Sequence, residues 1–249
     1  TPDMASQRFY AIVAGAGSGT GRAVAIRFSK AYPVVLMSRK PESYEDIVKD
    51  IRQAGGQAFG VATDATDVSS LDSAFEKIQE ALPDHKLAAA VYNVNAGFAR
   101  KPFLEMGLDD LQTGLNGAAG GFFNLGQKTV PLLLDSVASS PSPPTLILTG
   151  ATASMKASSQ FSSFAAGRFA MRALGQSLAR EFGPKGVHVA HAVIDGLINT
   201  PASRAWNRGG KPDSKISPES IAETYWYLHT QHRSAFTQEI DIRPYSESF

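Results

Sequence analysis

The chain contains no cysteine among its 249 residues. That absence excludes a disulfide scaffold, a thiolate metal site and a cysteine nucleophile. Long apolar runs are missing too: the best stretches, such as residues 87–92, are strand-sized, whereas a membrane helix needs roughly 20 residues. Neither sign of charge dominates. Twenty-four basic against 23 acidic side chains leave +1, which offers no general pull toward nucleic acid or an anionic membrane. No cluster of His, Asp or Glu has metal-ligand spacing, so no metal is expected. The first residues lack the zones of a signal peptide, and the expected location is cytoplasmic.

What is present is an ordinary globular composition, 43% hydrophobic and 19% charged. Charge is uneven only locally: residues 156–215 carry nine basic and three acidic side chains. Such a run is either a solvated helix face plus a basic loop, or a field over an anionic ligand.

Short apolar runs without polar interruption, as in strands buried on both faces, recur near residues 9–14, 34–37, 58–62, 87–94, 145–148 and 187–194, with a last strand at 239–242. Between them lie helical stripes, including long helices over 109–134 and 161–182 and a late one from 219 to 229. Strands alternating with helices require right-handed crossovers and a parallel sheet covered on both faces. The expected fold is α/β: a single Rossmann-type doubly wound domain of about seven parallel strands over 1–249. Residues 1–8 form an N-terminal extension, and 201–216 a loop over the substrate.

Between the first strand and helix stands Gly15-Ala-Gly17-Ser18-Gly19-Thr20-Gly21. Glycines in that context let the backbone approach a pyrophosphate, while the helix start offers free N–H groups and a positive dipole end. The Gly15-x-x-x-Gly19-x-Gly21 spacing resembles the short-chain dehydrogenase/reductase family, with Ala14 in the place of the family's threonine. Asn95-Ala96-Gly97, the run from Leu178 to Val189, and Ser217-Pro-Glu-Ser-Ile-Ala222 resemble further family segments, in family order. The resemblance covers Tyr10 to about Arg243 and implies a small-molecule substrate and a homodimer or homotetramer built on the two long helices.

Ser38, Arg39 and Lys40 follow the second strand. NAD-specific relatives place an acid near Ser38, and that acid would repel a 2′-phosphate. Here the position is neutral and Arg39 can fork onto phosphate oxygens, with Arg22 in the helix start nearby, so NADP(H) is the expected coenzyme; the alternative is that Arg39 is a solvated surface residue. By resemblance, Asp64 binds the adenine amino group with Ala65 beside it, and Gly196, Ile198 and Thr200 hold the carboxamide end.

The family's chemistry uses Ser, Tyr and Lys, with Tyr-x-x-x-Lys on the long helix. Aligned on Leu178-Ala-Arg-Glu181, the lysine place is Arg168, the tyrosine place Phe164 and the serine place Ala151. A fourth residue, asparagine in the family, falls on Ala118, with Asn116 two positions away. Phenylalanine has no proton to give, alanine has no hydroxyl, and arginine can hold a ribose but not relay protons. Ordinary ketone–alcohol interconversion is therefore not expected. Three readings remain: an NADPH-dependent reductase of a pre-activated acceptor such as an iminium ion or conjugated C=C, a non-redox cyclase or isomerase, and a catalytically silent NADP(H)-binding protein. Asp195 is either a substitute acid or a turn residue bonding its own backbone. Thr149, Thr152 and Ser154 are possible hydroxyl donors, His188 and His191 belong to a strand, and Trp206, Asn207 and Arg208 sit in the substrate loop, which Gly209 and Gly210 let move. Tyr225, Trp226 and Tyr227 read as packing or a subunit contact.

Overall fold

A computed structural model describes residues 9–95, 98–206 and 211–247. Ala96, Gly97 and residues 207–210, including Asn207, Arg208, Gly209 and Gly210, lie outside the described residues, as do residues 1–8. Seven strands make one parallel sheet: β1 Phe9–Ala14, β2 Val34–Ser38, β3 Ala58–Ala62, β4 Lys86–Tyr92, β5 Thr145–Thr149, β6 His188–Ile194 and β7 Glu239–Ile242. Their order is β3-β2-β1-β4-β5-β6-β7. The chain runs outward from β1 in one direction and restarts at β4 in the other. That reversal opens a crevice at the carboxyl ends of β1 and β4.

β1 shows why apolar runs make this sheet. Phe9, Ala11 and Val13 enter one core, and Tyr10, Ile12 and Ala14 enter the other, so no residue of the strand faces water. The first core is closed by helices α1 (Thr20–Phe28), α2 (Glu45–Gln53) and α7 (Pro218–His229) through Val24, Phe28, Ile51, Tyr225 and Leu228. The second is closed by α3 (Val68–Ala81), α5 (Gly121–Ser136) and α6 (Ser162–Phe182) through Leu71, Ile78, Phe122, Leu125 and Met171. Among the described residues no helix is long and apolar enough to cross a membrane.

The helix expected over 109–134 is not continuous. It divides into α4 (Leu108–Leu115), a π-helical stretch Asn116–Gly120, and α5. The sequence there, Asn-Gly-Ala-Ala-Gly, resists bending poorly, and the Tyr92 hydroxyl of β4 donates to the Gly117 carbonyl at 2.9 Å. α4 also lies unusually close to α6: a Cβ on Gly167 would stand 2.1 Å from the Gly114 carbonyl oxygen. The bend carries Asn116 to the crevice and buries Ala118.

Candidate active site

The crevice is a cavity of about 1050 Å³ running from β3 past β1 to β5 and β6. Its nucleotide end is made largely of backbone. Gly15 has φ +88°, and a Cβ there would lie 2.4 Å from the Asn93 carbonyl oxygen, so only glycine makes the turn without strain. Asn93 fastens the turn by donating from Nδ2 to the Gly15 carbonyl at 3.0 Å. A Cβ on Gly21 would stand 2.5 Å from the same carbonyl oxygen, whereas one on Gly17 would meet nothing within 4 Å. Gly17 thus presents bare backbone to open space. α1 begins at Gly19 with no side-chain cap, no acid occupies its first turn, and the Thr20 hydroxyl is buried without a hydrogen-bond partner among the described residues. Uncapped N–H groups, a positive helix end and an orphaned hydroxyl fit a pyrophosphate.

Ser18, Ser38 and exposed Arg39 also line the cavity. Arg22 does not line it; it pairs with Asp50 of α2. Asp64 and Ala65 line the far edge, with one Asp64 oxygen accepting from the Thr66 N–H at 2.9 Å and the Thr66 hydroxyl at 2.7 Å. Asn95, Gly196, Ile198 and Thr200 lie on the wall as well. Thr200 is steadied by the Ser203 hydroxyl, which accepts from its N–H at 2.9 Å. Of the described residues after Thr200, Ala202, Ser203 and Trp206 also line the cavity, and Lys215 donates to the Ser203 carbonyl at 2.7 Å.

The other end is made of side chains. Phe164 and Arg168, one turn apart on α6, face the cavity beside Ala151 and Thr149. Arg168 is only 5% exposed. It donates from Nη1 to the Thr149 carbonyl at 2.9 Å, and from Nη2 to Asn95 Oδ1 at 3.2 Å and the Val94 carbonyl at 3.4 Å. Its guanidinium carbon lies 5.2 Å from the Phe164 ring centre. Nε has no partner among the described residues, and no carboxylate there pairs with the group. Burial pulls its pKa below the usual guanidinium value. Phe98 stacks edge-on against Phe164 at 5.2 Å and touches Phe161 at 5.7 Å, making an aromatic wall. Among the described lining residues there is no tyrosine, lysine or histidine, and Asp64 is the single acid.

Several sequence expectations are corrected by this geometry. Ala118 is 2% exposed and belongs to the second core; Asn116 and Gly117 form the cavity wall instead. Asp195 is not on the wall: one oxygen accepts from the Thr152 hydroxyl and the other pairs with Arg243 at 3.1 Å. It is neither a free acid nor a turn residue folded on its own backbone. The Ser154 hydroxyl accepts from the Ala151 N–H; of Thr149, Thr152 and Ser154 only Thr149 lines the cavity, and its hydroxyl is engaged by the buried Tyr225. The basic run is not one face either: Arg168 is buried, and Arg172 forks onto Glu239 at 2.7 and 2.8 Å. His191 also reaches Glu239, at 2.9 Å, and His188 lies between the Leu228 and Thr237 carbonyls, stacked on Phe236 at 4.4 Å. Burial lowers both histidines.

Three features of the site escaped the sequence. Asn93 locks the glycine turn, Phe98 walls the reaction end, and Tyr225 stands fully buried behind Thr149, their hydroxyls 2.7 Å apart. Only the tertiary fold brings residues 149 and 225 together, so no local spacing reports the pair. Trp226 packs on Phe28 while Arg27 lies 4.2 Å above its ring, and Tyr227 is exposed.

The family model for short chain dehydrogenases matches residues 10–210. An uncharacterised oxidoreductase of Staphylococcus aureus strain USA300 is 24% identical over 235 residues, 94% of this chain and 96% of that protein. The crystal structure of a short-chain dehydrogenase from Rhodopseudomonas palustris is 28% identical and superposes with a TM-score of 0.79, covering 96% of this chain and all (100%) of that one. A metagenomic short-chain oxidoreductase solved in complex with NADP shares the fold at 20% identity and a TM-score of 0.79, over 98% of this chain and 100% of its own. The chain belongs to the short-chain dehydrogenase family of oxidoreductases, whose members work with nicotinamide coenzymes on small-molecule substrates.

Proposed function

We propose that this protein is an NADP(H)-dependent reductase of an already polarised small molecule. One contrast carries the reading: the glycine cradle is intact, yet hydrocarbon stands where a proton donor would be needed. The bare backbone of Gly17 and the uncapped start of α1 would hold the pyrophosphate, and Asp64 with Ala65 the adenine. Neutral Ser38 and exposed Arg39, at the end of β2, would receive the 2′-phosphate, with no carboxylate at position 38 to repel it. Asn95 would border the ribose with Arg168, and Ile198 and Thr200 the carboxamide, with Gly196 beside them. When bound, the reduced coenzyme supplies a hydride.

The reaction end positions and excludes rather than protonates. Phe98 and Phe164 dry one wall, with Phe161 packed behind Phe98, and Ala151 leaves room where a serine hydroxyl would project. A lost oxyanion donor commonly costs ~3–4 kcal/mol of transition-state stabilisation, a factor of 10²–10³. With tyrosine and serine both absent, a simple ketone is left without its acid, whereas an activated acceptor needs chiefly positioning. Titration of NADPH fluorescence, followed by NADPH oxidation with saturated ketones, enones and cyclic imines, tests this. Saturable binding with turnover of the activated acceptors alone is expected. Tight binding with no turnover of any acceptor would favour the silent reading, and product without net NADPH loss the cyclase or isomerase.

A further inference from the structure

We propose that Arg168 is the oxyanion-holding group of the cavity, and that the acceptor is a conjugated enone or enal rather than an iminium ion. This rests on the reductase reading and narrows it. Three of the five N–H donors of Arg168 are engaged, all by neutral oxygens, and its charge has no carboxylate partner among the described residues. The single acid on the cavity wall, Asp64, follows β3, four strand spacings from β5, or roughly 19 Å. A buried cation left unbalanced on the wall of a cavity repels a second cation and attracts a developing negative oxygen. An iminium ion is therefore disfavoured at this end, and an acceptor that ends its reaction as an anion is favoured.

The chemistry selects which anion. Reduction of a ketone ends as an alkoxide, a strong base that needs a proton at once, and a guanidinium releases none. Hydride addition to the β-carbon of an enone forms a C–H bond there, breaks the C=C π bond and moves its electron pair through to the carbonyl oxygen. The product is an enolate, whose delocalised charge makes its oxygen a far weaker base than that of an alkoxide, so that a charged N–H can hold it until the α-carbon takes a proton from water. The acceptor gains two electrons and two hydrogens in total, and the reduced nicotinamide loses the hydride. Replacing tyrosine by Phe164 and lysine by Arg168 is coherent on this route: the first supplies a face for a flat conjugated body, with Phe98 beside it, and the second a permanent charge for its oxygen.

The test uses a non-reacting enolate mimic, para-nitrophenolate, whose colour reports whether it is ionised. It is titrated into the protein with and without NADP⁺, in parallel with the cation N-methylquinolinium. The expected result is that the bound dye stays ionised at least one pH unit below its solution midpoint and binds at least tenfold tighter than the cation. Arg168→Gln should erase both differences and Arg168→Lys should keep them. Should Arg168→Gln fail to fold, the anion–cation comparison on the native protein decides. An unshifted dye, or tighter binding of the cation, would overturn the proposal. Failure of NADP⁺ or NADPH to bind would overturn the reductase reading instead, because the dye without nucleotide is read independently.

Discussion

The two ends of the cavity are built from different parts of the chain. At the nucleotide end recognition is carried by backbone: a glycine turn, an uncapped helix start and the carboxyl ends of strands. At the reaction end it is carried by side chains: Phe98, Thr149, Ala151, Phe164 and Arg168. Backbone geometry survives wide divergence because the sheet itself enforces it, as the fit of Gly15 under Asn93 illustrates. Side-chain chemistry can be replaced one residue at a time without disturbing the fold. Family membership therefore says much about the first end and little about the second.

The comparison breaks most visibly if the reaction end is rebuilt. The triple change Ala151→Ser, Phe164→Tyr and Arg168→Lys should raise reduction of a saturated ketone by about 10²–10³ over the native protein, measured as NADPH consumption, because it restores an acid and an oxyanion donor. No gain would mean that these three positions do not meet at the reacting atoms. The nucleotide end is challenged by Gly17→Asp. Space is open for the side chain, so the thermal midpoint of the ligand-free protein should hold, while a carboxylate facing the pyrophosphate weakens NADPH binding by about 100-fold. A smaller effect is expected from Arg39→Glu, roughly 10- to 100-fold on NADPH with NADH left nearly unchanged, read by fluorescence titration of both coenzymes. Equal loss for both would remove Arg39 from the 2′-phosphate.

The smallest effect belongs to neither end and calibrates both. His229 is buried in α7, accepting from the Tyr32 hydroxyl at 2.9 Å and donating to the Thr145 hydroxyl oxygen at 3.1 Å, and burial pushes its pKa down to about 3. The unfolded chain takes up that proton near pH 6.5 and the folded chain does not. Its stabilising contribution is thus complete above about pH 6.5 and declines by about 1.4 kcal/mol per pH unit as the pH falls toward 3. Thermal or urea unfolding from pH 7 to 5 should show at least this slope, because the buried His188 and His191 add to it in the same direction, and His229→Gln should reduce it without abolishing it.

Much of the fold was legible in the sequence because its strands are buried on both faces and read as continuous apolar runs. β1 was located to its ends, Phe9 and Ala14. The helix break at Asn116 was not legible, since it depends on a hydroxyl delivered by Tyr92 from a strand 25 residues earlier. At the site, the glycine cradle was legible because spacing alone carries its mechanism. Asp195 misled because its partners, Thr152 and Arg243, lie 43 and 48 positions away, and nothing local reveals that its oxygens are engaged. The Arg22–Asp50 pair was not legible for the same reason.

The most direct measurement supplies the native protein with NADPH and either cyclohexanone or cyclohexenone, two acceptors of one skeleton that differ only in conjugation. NADPH should be consumed with cyclohexenone alone, and cyclohexanone should accumulate as the product without further reduction. Consumption of NADPH with cyclohexanone at a comparable rate would contradict the claim that this cavity has kept its coenzyme cradle but given up its proton donor.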